Sequence, residues 1–309
     1  MKRKPFYRAV VLLMSLLFGA VPVANAASPH GVLLDTPAIF EENNWLGNPS
    51  GQRIVRSGAA EIDYSNVGQG YVMVRYTQPE SRKIKVQVKG PATTYSYDLR
   101  PGGQWTTLPL TDGNGSYTVA VYVNLSGTQY TTAGSAQFSL RLENEFAPFL
   151  YSNQYVNYAD APSAQALADQ LTAGMTNELD MVGAIYDYVI ANLVYDKQKA
   201  QSVQSGYLPV LDQVLAERKG ICFDYASLMA GMLRHKNVPC KMVVGYAGTA
   251  YHAWISVWTK DLGWIDGAIY FDGSVWHRMD PTFASSAHSS QQIMQYIGNG
   301  QNYTEKFIY

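Results

Sequence analysis

The stretch Gly220-Ile221-Cys222-Phe223-Asp224-Tyr225-Ala226 decides how this chain reads. It leads into an apolar run in which Ala226, Met229 and Leu233 share one face of Phe223–His235 at helical steps. Asn237-Val238-Pro239 closes that run, because proline cannot continue a helix. A thiol at the first turn of such a helix has its thiolate favoured by the N-terminal dipole, and a positioned imidazole can hold it as a thiolate–imidazolium pair. Two later segments supply companions, Tyr251-His252-Ala253-Trp254 and Met279-Asp280-Pro281-Thr282. A carboxylate on the far nitrogen of an imidazole fixes its tautomer and stabilises its protonated form. On residue types alone each member has an ordinary alternative: Cys222 could pair with Cys240, His252 could be a core imidazole, and Asp280 could start a turn before Pro281.

Working backward, Val182, Ile185, Val189 and Leu193 recur at helical steps over about Glu178–Leu193. A short helix is expected over Leu208–Arg218, closed by Gly220, and Ala159-Asp160-Ala161-Pro162-Ser163 reads as a helix start with Asp or Ser near the cap. Forward, Met242–Tyr246, Ala253–Trp258 and Val275–Met279 read as strands. Helices followed by a run of strands predict an α+β domain over residues 146–309. Before it come short alternating or β-branched and aromatic runs: Ile62 and Tyr64, Tyr71–Tyr76, Ile84–Val88, Tyr95–Tyr97, Tyr117–Val123 and Phe138–Leu142. Turn sequences such as Gly90-Pro91 and Asp112-Gly113-Asn114-Gly115 separate them, which predicts an all-β sandwich of immunoglobulin-like class over residues 59–145. Residues 27–58, rich in Pro, Asn and Gly, read as an irregular leader, so the chain is expected to be multidomain.

At the cysteine segment and its companions the chain resembles the transglutaminase-like superfamily, whose members share a papain-like core. The family pattern G-[VI]-C-x-D-[YF]-A, G-[IV]-P-x-[RK]-x-V-x-G-Y, H-A-W and D-P-T is met by Gly220 to Ala226, by Asn237 to Tyr246, by His252-Ala253-Trp254 and by Asp280-Pro281-Thr282, with Asn237 in place of the usual glycine. Four matches in order over about 60 residues restrict far more than one short motif. The resemblance reaches back through Asn192 to Asp196 and covers roughly Ala159 to Tyr309.

It implies Cys222 as nucleophile, His252 as general base and acid, and Asp280 as the group that orients His252, with attack on an amide giving a thioester released by water or an amine. The backbone N–H of Cys222 supplies one oxyanion donor. Crosslinking members use an upstream tryptophan for the second, and here no Trp lies between Trp105 and Trp254, so the Tyr195 phenol is the candidate substitute. The resemblance also favours a free Cys222, with Cys240 packing as a small hydrophobe at the start of a strand. Asp224 is expected to bond nearby backbone.

The expectation is a cysteine hydrolase or acyltransferase acting on amide bonds of peptides, proteins or cell-wall peptides, with hydrolysis favoured over amine transfer and no cofactor or metal required. Two alternatives stand beside it: a surface-binding module whose papain-like part is a scaffold, and a true protein-crosslinking transglutaminase.

Composition excludes the rival classes. The 309 residues are 47% hydrophobic and 15% charged, enough for real cores in about two domains and unlike disordered or collagen-like chains. A formal net charge of −1 argues against a nucleic-acid partner, and two cysteines exclude a disulfide scaffold. Met1-Lys2-Arg3-Lys4 with Arg8, the apolar run Ala9–Ala20 and the A-x-A arrangement Ala24-Asn25-Ala26 read as a secretory signal peptide over residues 1–26. The run is shorter than the ~20 residues of a spanning helix, and no integral membrane segment is expected after cleavage. Removing its four basic residues takes the formal charge from −1 to −5. A secreted, extracellular bacterial protein, with cell-wall association, is the expected setting.

Overall fold

The computed structural model describes residues 45–247, 249–271, 276–278 and 303–309, all within one compact unit. The expected signal peptide, most of the leader and Asp280 lie outside the described residues.

The N-terminal part is built from β1 (Ile54–Ser57), β2 (Ala60–Asp63), β3 (Tyr71–Tyr76), β4 (Ile84–Lys89), β5 (Thr94–Leu99), β6 (Thr106–Pro109), β7 (Gly115–Ser126) and β8 (Gln129–Leu140). Among the described residues these make two antiparallel four-stranded sheets, in the orders β1-β2-β3-β6 and β5-β4-β7-β8. β4 and β5 show why: Ile84, Val86 and Val88, and Tyr95, Tyr97 and Leu99, are buried while the residues between them face outward, the period of a half-buried strand. Ile54–Ser57 falls inside the stretch read as irregular leader. It is a half-exposed edge strand, so its sequence carries little alternation.

The buried face of the β5-β4-β7-β8 sheet serves two neighbours. At β8, Phe138 stacks on Tyr64 and on Tyr117. At β5, Tyr97 meets Tyr155 and Tyr309, and Tyr95 meets Phe307 and Tyr309. One hydrophobic cluster therefore runs from the N-terminal sheets into the C-terminal part.

That part comprises α1 (Pro162–Leu171), α2 (Glu178–Asn192), β9 (Val194–Tyr195), α3 (Lys197–Ser202), α4 (Leu211–Glu217), β10 (Lys219–Gly220), α5 (Cys222–His235), β11 (Cys240–Ala247), β12 (Ala250–Thr259), β13 (Gly263–Phe271), β14 (Trp276–Arg278) and β15 (Tyr303–Ile308). The last five form an antiparallel sheet in the order β14-β13-β12-β11-β15. α5 lies between this sheet and α1, α2 and α4, and every residue from Asp224 to Arg234 is buried. Each large apolar side chain so placed contributes roughly 1.5–3 kcal/mol, which makes α5 the core of this half.

The helix ends follow capping chemistry, with instructive departures. α2 starts where expected, with the Asn177 side chain accepting from the N–H groups of Leu179 and Asp180. α1 does not use a local Asp or Ser: its N-cap is Ala161, and the Ser163 and Ala164 N–H groups donate to the Asp212 carboxylate of α4 at 3.0 and 2.9 Å. α4 is closed by Arg218, left-handed at φ 50°, and not by Gly220, which lies in β10. α5 begins one residue before the apolar pattern, at Cys222 itself.

Asn237 explains its own substitution for glycine. Its φ is 59°, the Asn237 N–H donates to the Arg234 carbonyl, and the Val238 N–H donates to the Leu233 carbonyl, the paired bonds of a left-handed helix terminator. Asparagine tolerates that conformation better than other side-chain-bearing residues, and here its Oδ1 also accepts from the Trp45 indole at 2.7 Å.

Two tight contacts complete the frame. At Gly245, a Cβ would stand 2.0 Å from the Thr304 carbonyl oxygen, so only glycine lets β15 approach β11 at this bulge. Arg234, fully buried, donates to the carbonyl oxygens of Cys240 (2.9 and 2.7 Å), Tyr151 (2.9 Å) and Tyr309 (2.5 Å). Burial pushes its guanidinium down to about 10, still charged at neutral pH. Among the described residues, no helix is long and apolar enough to cross a membrane.

Candidate active site

The residues around Cys222 act as one mechanical part. β9 and β10 pair in parallel, Tyr195 opposite Gly220, with the Val194 N–H on the Arg218 carbonyl at 2.9 Å and the Asp196 N–H on the Gly220 carbonyl at 2.8 Å. The chain then turns into α5 through Ile221, which has no capping oxygen. The work is done from N3, where Asp224 Oδ2 accepts from the Ile221 N–H at 2.8 Å, half of a capping box. Asp224 folds back so closely that a Cβ on Gly220 would lie 2.6 Å from its own Cβ, which accounts for the glycine two residues before the cysteine.

Asp224 does more than bond local backbone. It is fully buried, and it also accepts from Lys199 Nζ at 2.7 Å and from the Tyr207 hydroxyl. Lys199 bonds Tyr207 in turn at 2.6 Å. α3 and the loop that follows it are thereby tied to the start of α5. Neither α3 nor this network is visible in the sequence, since five polar residues and one alanine carry no helical period and the partners are up to 25 positions apart.

Cys222 and His252 line one cleft of about 550 Å³. Its walls come from Tyr155, Tyr195, the 203–208 loop, Tyr251 and Phe307, with Asp98 of β5 at the rim. β12 brings His252 in opposite Gly245 of β11, and the imidazole is 9% exposed. The backbone N–H groups of Ala253, the next residue, and of Phe223 act on the Cys222 thiol in the direction that favours its thiolate. Tyr195 lines the same cleft, and its hydroxyl, pushed up to about 12 chiefly by burial, lies within electrostatic reach of Cys222, so the two expected oxyanion donors adjoin. Asp280 lies outside the described residues. A cleft of about 670 Å³ near Trp45, Tyr71 and Tyr151 is larger but presents no cysteine or histidine among its lining residues. Among the described residues, no three His, Cys, Asp or Glu side chains converge to hold a metal.

Cys222 and Cys240 are both free. Their environments differ in kind. Cys240 is fully buried and pushed up to about 12, an inert packing thiol. Cys222 is half-buried, and desolvation raises its thiol above the ordinary value, opposed by the Ala253 and Phe223 N–H groups and the Tyr195 hydroxyl. Burial thus works against the thiolate that the helix start favours. Because a raised pKa delays the thiolate, iodoacetamide should modify Cys222 slowly at neutral pH and about tenfold faster per pH unit up to and past about 8.5. Peptide mapping should find the adduct on Cys222 and none on Cys240. A rate independent of pH between about 6 and 8 would instead mark a preformed thiolate–imidazolium pair.

Residues 165–281 match the sequence model of the Transglutaminase-like superfamily. An uncharacterized protein, YebA, of Bacillus subtilis is 25% identical over 138 residues, 38% of this chain and 19% of that protein. A protein-glutamine gamma-glutamyltransferase of Pseudomonas aeruginosa is 28% identical over 149 residues, 43% of this chain and 20% of that protein. The chain thus spans about a fifth of the length of these relatives. Among solved structures, the periplasmic domain of TgpA from Pseudomonas aeruginosa bound to ethylmercury aligns with a TM-score of 0.33 at 19% identity, over 75% of each chain.

Proposed function

We propose that the transglutaminase-like domain carried by residues 165–281 is a cysteine enzyme that opens amide bonds of peptides or proteins, cell-wall peptides included, and favours hydrolysis over amine transfer. One observation carries the reading: Cys222, at the start of α5, lines one cleft together with His252 and Tyr195.

In the proposed reaction His252 takes the thiol proton as Sγ bonds the amide carbon, and the carbonyl oxygen becomes an oxyanion facing the Cys222 N–H and the Tyr195 hydroxyl. The carbon–nitrogen bond breaks as His252 returns the proton to the leaving nitrogen. Water, deprotonated by His252, then attacks the thioester, releasing a carboxylic acid and the thiol. Asp280 is proposed to orient His252.

Tyr195 in the oxyanion position, with no tryptophan between Trp105 and Trp254, supports hydrolysis. The name of the Pseudomonas aeruginosa relative supports transfer to an amine as the second reading. Incubation of the full chain with a glutamine-containing peptide, with and without a fluorescent primary amine, separates the two. Ammonia and the peptide carrying glutamate in place of glutamine are expected in both arms. A product dominated by the amine conjugate would reverse the preference, and neither product from glutamine peptides, casein or cell-wall peptides would remove the enzymatic reading.

The same proposal takes the two N-terminal sheets as an immunoglobulin-like sandwich and residues 1–26 as a cleaved export signal.

A further inference from the structure

We infer that the rim of the cleft formed by the N-terminal sheet is a subsite for a cationic side chain of the acyl donor, an alkylammonium such as that of lysine, received by Asp98. This rests on the reading of the cleft as an amide-bond site and specifies the substrate it takes.

Asp98 projects from the outward face of β5, a strand of the N-terminal sheet, yet it lines the cavity that holds Cys222 and His252. Among the described lining residues it is the only acidic side chain, and none of them is a lysine or an arginine. The walls are rings: Tyr155, Tyr207, Phe223, Tyr251, Phe307 and Tyr309. Aromatic faces attract a cation through their quadrupoles, so rings leading to one carboxylate favour an ammonium over a neutral chain and disfavour an anion.

Asp98 has a partner already, and the geometry leaves room for a second. Lys85 Nζ meets Oδ1 at 2.6 Å, but the two side chains are 36% and 44% exposed, and such open pairs hold weakly. Oδ2 faces the other way: it lies 4.0 Å from the position a Cβ on Gly206 would take, and Gly206 itself lines the cleft. The strand that carries Asp98 is also held in place. The Asp98 N–H donates to Gln154 Oε1 at 3.3 Å, and the adjoining Tyr155 donates its hydroxyl to the Ser96 carbonyl at 2.7 Å and packs its ring 3.9 Å from that of Tyr309. The rim of the cleft is therefore anchored to the sheet on one side and to Tyr309, the residue after β15, on the other.

The test is binding to the full chain carrying Cys222→Ala, which cannot consume its ligand. Fluorescein-labelled peptides containing one glutamine and one lysine, the lysine walked through several positions on either side, are compared by anisotropy with the same peptides carrying norleucine. At one spacing lysine should bind about tenfold tighter than norleucine, the ratio that 1.4 kcal/mol supplies, with the margin shrinking at high salt. The margin should vanish in Cys222→Ala, Asp98→Asn. In the chain with Cys222 intact, Asp98→Asn should raise KM for the lysine peptide and leave kcat unchanged. Equal binding of lysine and norleucine at every spacing, a preference that survives Asp98→Asn, a preference for glutamate, or no measurable binding would each overturn the subsite. A lysine preference in binding without any turnover by the intact chain would keep the subsite and remove the enzymatic reading.

Discussion

Cys222→Ala should lower ammonia release from a glutamine peptide by on the order of 10⁴-fold or more, the loss that follows when a nucleophile is removed from a site whose other parts remain. The fold should survive the change. Cys222 is half-buried at the first position of α5, alanine is a better helix former, and the contacts that hold the turn belong to Gly220, Ile221 and Asp224. The far-ultraviolet spectrum and thermal midpoint should therefore match those of the parent, which makes the rate loss chemical. Tyr195→Phe removes one hydroxyl and leaves the nucleophile in place, so its expected loss is smaller, about 10²–10³-fold in kcat, as for a single oxyanion donor. A Cys222→Ala chain within about tenfold of parental activity would remove Cys222 from the chemistry.

Arg234→Leu should be strongly destabilising although it alters no residue proposed for the chemistry. The guanidinium serves three carbonyl oxygens on three segments, at Tyr151, at Cys240 and at Tyr309, from a position with no solvent access. Leucine fills part of the volume and none of the bonds. Leaving buried acceptors without donors costs about 1–3 kcal/mol each, and the removal of one member of a buried charged network about 3–5 kcal/mol in total. For a chain of this size that is a fall in the thermal midpoint of roughly 10 °C. Arg234→Lys should recover only part of it, because one ammonium cannot replace a planar fork that reaches Tyr151, Cys240 and Tyr309 together. Differential scanning calorimetry decides the matter, and a midpoint within about 2 °C of the parent would show that water or neighbouring donors take over the carbonyls.

What the sequence disclosed is what is local. Gly220, Cys222 and Asp224 form their turn through bonds spanning three or four positions, so the motif and the helix behind it can be read from adjacent letters. The period-two burial of β4 and β5 is local in the same way. Long-range pairings were not legible. The two-residue β9–β10 ladder that sets Tyr195 beside Cys222 has no periodicity, and Tyr195 entered only as a replacement for a missing tryptophan. The α1 cap comes from Asp212, some fifty positions on. β13 hides behind Asp266 and Gly267, and β15 consists of residues too few to interpret alone. Asp98 and Tyr155 were unreadable as cleft residues for a further reason: they belong to or beside a sheet that the sequence presents as a separate module.

The stack of Tyr97, Tyr155 and Tyr309 has a consequence for how this protein can change over time. A recombination event that exchanged the N-terminal sheets for another module would remove the floor on which Tyr155 and Tyr309 rest and, with it, one wall of the cleft. Because Tyr155 and Tyr309 line the cleft and rest on Tyr97, a substitution in β5 can reshape the cleft wall without touching Cys222 or His252.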